Sequence, residues 1–113
     1  FRTAAASVQE KDVASPPPKV FSLEHNYPNP FNPVTSIRYA VPERSFVKLT
    51  VWNMLGEFVQ ELVSEEKDAG IYENTFRAES LPSGVYLVKL EAHPISGLER
   101  KDFISTKKMI LVK

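Results

Sequence analysis

The chain has 113 residues, a length that fits one domain. Its apolar fraction of 42% and charged fraction of 25% are those of an ordinary soluble globular domain. Fourteen basic and fourteen acidic side chains cancel, so no overall field attracts nucleic acid or an anionic membrane, and no nucleic-acid partner is expected. The chain contains no cysteine, which excludes disulfides and thiolate metal ligands without fixing the compartment.

Residues 1–19 are predicted to form a flexible linker. They are small, polar and of mixed charge, and they include the stiff tripeptide Pro16–Pro18. The chain begins with Phe1 rather than Met, so we expect it to be part of a longer protein. No apolar run approaches the roughly 20 residues of a membrane-spanning helix, and no signal peptide is visible.

From Val20 onward, short apolar alternations are separated by turn residues. Segment 57–63 fits a helical turn as well as a bent strand. The other strands are predicted in segments 20–26, 36–41, 46–53, 71–78, 84–92 and 104–113. Seven short strands at this spacing predict one all-β domain over residues 20–113, built as a seven-stranded antiparallel β-sandwich.

Alternation also predicts which side chains share a face of the sheet. In four segments the residues that share one face are Ile37, Tyr39 and Val41; Val47, Leu49 and Val51; Tyr72, Asn74 and Phe76; and Met109 and Leu111. The opposite faces of the second and fourth of these segments carry Lys48, Thr50 and Trp52, and Ile110 and Val112.

The sequence NYPNPFNP over residues 26–33 predicts a rigid corner. Proline fixes φ and cannot donate to a strand ladder, while asparagine side chains bond nearby backbone. We expect the corner to carry the chain from one sheet to the other and to close an open end of the sandwich, with Tyr27 and Phe31 as plugs. Its structural residues are Asn26, Tyr27, Pro28, Pro30, Phe31 and Pro33.

The sequence LPSGVY predicts a second shaped turn. Pro82 and Gly84 form the turn, and Tyr86 then enters the core with its hydroxyl near the backbone, as in a tyrosine corner. Both turns are open to two interpretations, a docking surface for a partner or plain turn architecture.

The sequence contains no residue set for catalysis. His25 and His93 stand far apart, whereas a metal site needs three or four converging ligands, so we interpret both as surface imidazoles. The acidic run Glu65–Asp68 lacks the alternate spacing of a calcium loop, and no triad or phosphate-binding glycine loop occurs. We expect no catalytic residue, metal or cofactor, and we interpret the domain as non-enzymatic.

Charge is unevenly distributed along the chain. Residues 57–79 carry seven acids and two bases, whereas residues 97–113 carry five bases and two acids. The two segments can pair with each other or with solvent, or the basic last strand can meet an acidic partner surface. If that strand lies at a sheet edge, a partner can also add a strand to it.

Five motifs occur in order: LEHNYPNPFNPVTSIRYAVPE, VKLTVWNMLGEFVQELV, AGIYENTF, LPSGVYLVKLEA and, at the end of the chain, KKMILVK. Together they resemble the type A C-terminal sorting domain of type IX secretion cargo, and the related Ig-like domain of the flagellar hook-capping protein. The resemblance covers about residues 21–113. The segment HPISGLERKDFIS, within residues 93–105, departs from it, because family members often run into the last strand through a short glycine turn.

The resemblance implies an Ig-like sandwich that directs an upstream cargo domain of the same chain through the outer membrane. The implied partners are the outer-membrane translocon and a sortase-like peptidase that cuts in the linker, here within about residues 1–20. The cargo would cross the inner membrane by a Sec signal, fold in the periplasm, and then be secreted or held at the cell surface. The family's glycine-turn motif maps onto Pro82, Gly84 and Tyr86, and its basic end motif onto Lys107, Lys108 and Lys113.

The alternative function is a structural or carbohydrate-binding accessory module of a secreted enzyme. Carbohydrate binding of this kind needs a flat row of exposed aromatic side chains, for which Trp52, Tyr39 and Tyr72 are the candidates. Alternation places Tyr39 and Tyr72 on core faces, which counts against this function.

Overall fold

The computed structural model describes residues 18–95 and 101–113. Most of the predicted linker, residues 1–17, and part of the longer segment, residues 96–100, lie outside the described residues. The described residues form seven strands: β1 (Ser22–Leu23), β2 (Val34–Val41), β3 (Ser45–Asn53), β4 (Phe58–Lys67), β5 (Gly70–Arg77), β6 (Gly84–Pro94) and β7 (Phe103–Leu111). Across these two ranges, no helix has the length and apolar character to span a membrane.

The strands form two antiparallel sheets, as the sequence predicts. The first sheet has the order β1-β2-β5, and the second has the order β4-β3-β6-β7. In the second sheet β3 is paired along its whole length with β6, and β6 with β7, so β4 and β7 are the two edges. The architecture is therefore the predicted all-β sandwich of seven strands over the described residues.

The ambiguous segment 57–63 lies in strand β4. The pairing of β3 with β4 skips at two points, where Leu49 and Thr50 pair with Val63 and Glu61, and where Val51 and Trp52 pair with Gln60 and Phe58. Each skip is a β-bulge that leaves one extra residue in β4. The bulges break the period of two, which explains why the apolar residues of this segment do not alternate in sequence.

The core lies between the two sheets and contains the faces that alternation predicts. Ile37, Tyr39, Val41, Val47, Leu49, Val51, Phe76, Met109 and Leu111 are all fully buried or nearly so. Aromatic rings pack within and beside the first sheet: Tyr39 stacks on its cross-strand neighbour Tyr72 with centroids 5.5 Å apart, and Phe31 of the corner lies 6.0 Å from Phe76. Burial of this apolar surface is the main force that holds the sheets together.

The two ends of the sandwich differ in what they carry. At one end, which we call the entry end, the described chain begins at Pro18, and the connections at 42–44 and 68–69 join the sheets. The opposite end, which we call the corner end, carries the corner 26–33, the turn 54–57 and the turn 78–83. The last strand runs from the entry end to the corner end, because its Phe103 pairs with Ala92 and its Leu111 pairs with Gly84.

Tyr39 places a hydroxyl inside the core. Its Oη is buried and has no hydrogen-bond partner among the described residues. Burial raises the pKa of Tyr39 far above its ordinary value, and the nearby Tyr72 and Glu65 add to the rise. The pKa of Tyr72 is also raised, first by burial.

We expect Tyr39 to make the fold sensitive to alkali. Above the ordinary tyrosine pKa of about 10, the unfolded chain releases this proton while the folded chain keeps it, so stability is lost as pH rises. At pH 8 the free energy of unfolding of Tyr39→Phe should lie within about 1 kcal/mol of the wild-type value, because the hydroxyl has no partner. Between pH 8 and pH 11 the free energy of unfolding should fall less in this variant than in the wild type. Urea unfolding at both pH values tests this, and an equal alkaline loss in both proteins would contradict it.

Candidate recognition site at the corner end

The corner joins the two sheets. The backbone of Tyr27 pairs with Ser36 of β2 in the first sheet, with both N–H···O distances at 3.0 Å. Four residues later, the Phe31 N–H donates to the Ile110 carbonyl at 2.8 Å, and the Val112 N–H donates to the Phe31 carbonyl at 2.9 Å. Phe31 thus adds a short parallel bridge to the outer edge of β7, which makes the crossing between sheets that the sequence predicts.

Asparagine side chains hold the corner in place by hydrogen bonds to both sheets. The Asn29 amide accepts from the Ile110 N–H at 2.9 Å and donates to the Lys108 carbonyl at 3.3 Å. The buried Asn26 donates to Thr35 Oγ1 at 3.0 Å and to the Pro28 carbonyl at 3.1 Å. The peptide bonds that precede Pro28, Pro30 and Pro33 are cis.

The prediction that both corner aromatics are plugs is wrong for Tyr27. Phe31 is 2% exposed and packs in the core, whereas Tyr27 is 81% exposed. The difference follows from backbone pairing, because Tyr27 extends the ladder of β2 while Phe31 sits between the sheets. The second interior position of the corner belongs to Asn26, which is buried and hydrogen-bonded.

The turn before β6 has the tyrosine-corner bond that the sequence predicts. The Tyr86 hydroxyl donates to the Pro82 carbonyl at 2.7 Å, and the ring is buried. Gly84 starts β6 opposite Leu111 of the last strand. These contacts place the glycine turn directly beside the end of β7.

The three predicted lysines have different positions. Lys113 joins the glycine turn, because its N–H donates to Ser83 Oγ at 3.0 Å and its Nζ donates to the Glu79 carbonyl. Lys108 is exposed, and its carbonyl accepts from the corner. Lys107 is half-buried, on the opposite face of β7 from Lys108, and it pairs with Val88. Lys108, Lys113, the glycine turn and the corner therefore lie at one end of the sandwich. Lys107 lies one residue before Lys108 along β7.

The acidic and basic segments lie on opposite edges of the second sheet. Strand β4 carries acids and is separated from β7 by two strands. Among the described residues, the acidic segment forms ion pairs with Arg44 and within itself, and none with residues 101–113: Arg44 bonds Glu66 and Asp68, Lys67 bonds Glu65 at 2.9 Å, and Arg77 lies 3.9 Å from Glu79. The two segments touch where Lys113 Nζ donates to the Glu79 carbonyl.

The histidines occupy separate surface positions. His25 is exposed, whereas His93 Nδ1 lies 2.9 Å from Asp102 Oδ1, so His93 does not stand alone. No group of three or more metal-ligating side chains is found within residues 18–95 and 101–113.

The exposed aromatic row required for carbohydrate binding is not formed. Tyr39 is buried in the core, and Tyr72 is half-buried against it. Trp52 lies on the outer face of the second sheet, with the Phe58 ring edge-on at 5.5 Å and Lys89 Nζ 5.6 Å from its ring centroid. A single tryptophan with both neighbours in contact is not a flat sugar platform.

The segment NMLGE, residues 53–57, forms an ordered turn with an apolar tip, which the sequence alone did not reveal. Asn53 Oδ1 accepts from the N–H groups of Leu55 at 2.9 Å and Glu57 at 3.0 Å, and Gly56 has φ of 83°. Asparagine at the first position and glycine at the fourth are the signal for this turn, since glycine adopts positive φ without strain. Met54 and Leu55 are consequently held in solvent.

One known protein family matches most of this sandwich. The family model described as the secretion system C-terminal sorting domain matches residues 25–111. The chain belongs to this family. The match begins beside the corner and ends at the last residue of β7, so it spans the sandwich core.

Membership in the sorting-domain family gives the chain a general role. It carries a C-terminal sorting signal for type IX secretion, which implies contact with that machinery and an upstream cargo. It also implies a secreted or cell-surface protein that passes through the outer membrane. No curated protein and no solved structure matches the chain significantly.

Phe31 should be the most sensitive residue of the corner. Phe31→Ala removes a buried ring from the core and should lower the free energy of unfolding by about 3–5 kcal/mol. Tyr27→Ala is the matched control, because it removes an exposed ring of similar size from the same segment and should change stability by about 0.5 kcal/mol or less. Urea unfolding measures both, and equal losses would contradict the positions assigned to the two rings.

Proposed function

We propose that residues 20–113 are a non-catalytic, folded address that the type IX secretion machinery reads at the corner end. Residues 1–19 are the linker to the cargo in this proposal. The observation that carries it is the polarity of the sandwich. The described chain begins at one end, and the corner, the glycine turn, Lys108 and Lys113 lie at the other.

The proposed address exists only in the folded chain. Asn29 and Lys108 are far apart in sequence, yet the amide of the first reaches the carbonyl of the second at 3.3 Å. Ser83 and Lys113 meet in the same way at 3.0 Å. An unfolded chain presents none of these combinations, so machinery that reads this surface selects cargo whose C-terminal domain has folded.

The remaining steps of the proposal concern the linker and the route. The cargo crosses the inner membrane by a Sec signal and folds in the periplasm. A sortase-like peptidase then cuts within about residues 1–20, and the cargo is released or attached to the surface. The structure is compatible with such a cut, because the first described strand begins at Ser22 and cleavage before it removes none of the described strands. No cofactor takes part in this role.

The positions of Pro82, Gly84, Tyr86, Lys107, Lys108 and Lys113 assign them different tasks in this proposal. Tyr86 and Pro82 hold the turn through their hydrogen bond, and Gly84 sets it against β7. Lys108 and Lys113 supply positive charge at the surface, and the half-buried Lys107 adds a positive charge one residue before Lys108. An acidic surface of the machinery is the complementary partner.

Addition of a partner strand to β7 is possible along only part of the edge. Asn29 and Phe31 already occupy the edge from Lys108 to Val112. In the part of the chain that the structure describes, residues 103–107 have β6 on one side and no strand on the other. A strand added by the machinery would therefore pair with this first half of β7.

Charge reversal tests whether the corner end is read. Lys108→Glu with Lys113→Glu should lower export of a fused reporter at least about tenfold, which corresponds to about 1.4 kcal/mol of lost recognition. The measurement is surface and medium reporter activity in a host with a type IX system, with a signal peptide and reporter placed before the full chain.

Arg38→Glu with Lys101→Glu is the matched control away from the corner end. Both residues are exposed, so this pair changes net charge by the same amount away from the proposed surface. Its export should stay within about twofold of the wild type, since exposed substitutions cost little stability. Equal losses from the two pairs would show that overall charge, and not the corner end, controls export.

A further inference from the structure

A group of apolar side chains is exposed at the corner end, on the outer face of the second sheet. We call it the apolar patch: Trp52, Met54, Leu55, Phe58, Leu87 and Ile110. Leu55 is 83% exposed and Met54 is 59% exposed, and Phe58 and Ile110 are also among the exposed large hydrophobic residues. Large apolar side chains that cluster on a surface mark interaction sites, whereas scattered ones need no explanation.

The sheet register makes the patch continuous across four strands. Trp52 pairs with Phe58 on one side and with Leu87 on the other, so the three side chains form a row across β4, β3 and β6. In β7, Ile110 pairs with Val85, which is two residues before Leu87 on the same face. Side chains directly opposite each other in a sheet are in contact range, so the row presents one surface.

The tip of the patch is held rigidly. Met54 and Leu55 lie in the β3–β4 turn, where Asn53 makes three hydrogen bonds besides the two that its Oδ1 accepts. Its N–H donates to the Glu57 carbonyl at 3.0 Å, its carbonyl accepts from the Gly56 N–H at 3.0 Å, and its Nδ2 donates to Glu57 Oε1 at 2.7 Å. A preordered apolar tip loses little conformational entropy on binding, which favours its use as an anchor.

Charges border the patch unequally. Lys89 lies over Trp52 and forms an ion pair with Glu91 at 3.4 Å, whereas Lys108 pairs with Leu87 and is exposed, so Lys108 supplies the positive charge on the β6–β7 side. Glu57 and Glu61 border the β4 side. The three carboxylates around the patch oppose an anionic membrane, whereas a protein surface with a carboxylate opposite Lys108 is complementary.

The size of the patch favours a transient contact over a stable dimer. Six side chains, two of them partly covered, expose on the order of a few hundred Å². A stable interface buries about 800 Å² on each partner, and weaker transient contacts bury less. The patch also lies at the end opposite the start of the described chain.

We infer that the apolar patch is a second contact of the sorting domain, and that it docks into an apolar, acid-rimmed pocket on a protein of the secretion machinery. The inference rests on the proposed function and deepens it: Leu55 and Met54 insert as anchors, and Lys108 meets the carboxylates on the rim. This contact differs from the lysine surface because its central residues are uncharged.

The first experiment measures export with the anchors removed. The double variant Met54→Ser with Leu55→Ser is compared with Ile71→Ser with Ile95→Ser, in the same reporter fusion. The control pair is also exposed, at 50% and 36%, but lies outside the patch and outside the proposed cleavage segment. We expect at least a tenfold fall in export for the patch pair and less than a twofold change for the control pair. Thermal unfolding of the purified chains verifies that both pairs fold, and Leu55→Ser alone is the second variant if the patch pair does not.

The second experiment uses the single tryptophan of the chain, which lies within the patch. Trp52 is labelled as 5-fluorotryptophan, and its ¹⁹F signal is recorded with detergent-solubilised outer membranes from a host with the type IX system and from the same host lacking the translocon. We expect the signal to shift or broaden only with the first extract, and the change to disappear in the Met54→Ser, Leu55→Ser variant. Anionic phospholipid vesicles and increasing concentrations of the labelled chain alone are the other two probes.

Each outcome decides between the proposals. Equal export of both variant pairs, with the wild type exported, overturns the patch contact and leaves the sorting function standing. Absence of wild-type export contradicts the sorting function, and the ¹⁹F result then decides the patch by itself. A change of the ¹⁹F signal with vesicles assigns the patch to a membrane, and a change with protein concentration assigns it to a second copy of the chain. No change with any probe shows that the patch binds none of them. Each of these three results overturns the inference.

Discussion

The docking of Phe31 onto the last strand is the contact on which the rest of the corner end depends. Its backbone bonds Ile110 and Val112 at the outer edge of β7, and its ring fills the core beside Phe76. One residue therefore ties the first sheet to the second by hydrogen bonds and by apolar burial together. With β7 held in this way, Lys113, two residues beyond its end, reaches Ser83 and brings the glycine turn to the same surface.

Several edges of the two sheets are protected against pairing with a foreign strand. Strand β4 has two bulges and several carboxylates, and β1 is only two residues long, so both resist pairing with a foreign strand. The end of β7 is covered by the corner itself. What the corner end presents to a partner is therefore mainly side chains, with lysines on one part of the surface and apolar residues on another.

The polarity of the sandwich gives a physical basis for a domain that is read while it is attached to a cargo. The chain enters near the connections 42–44 and 68–69, where Arg44 binds the carboxylates of Glu66 and Asp68. Those charges are satisfied locally. At the opposite end, Lys108 and the turn carrying Leu55 face solvent, so a large upstream domain and a partner can occupy the two ends at the same time.

The sequence by itself determined the strands, the two-faced pattern of the core and the tyrosine corner, because side-chain alternation and proline or glycine geometry are local properties. It did not separate Tyr27 from Phe31, since both are aromatic residues in one corner and only backbone pairing decides which ring points inward. The bulges of β4 were hidden for the same reason, because register depends on the neighbouring strand. Tertiary structure alone brought Lys113 to Ser83 and assembled the apolar patch from four strands, since contacts between residues distant in sequence are set by how the sheets pack.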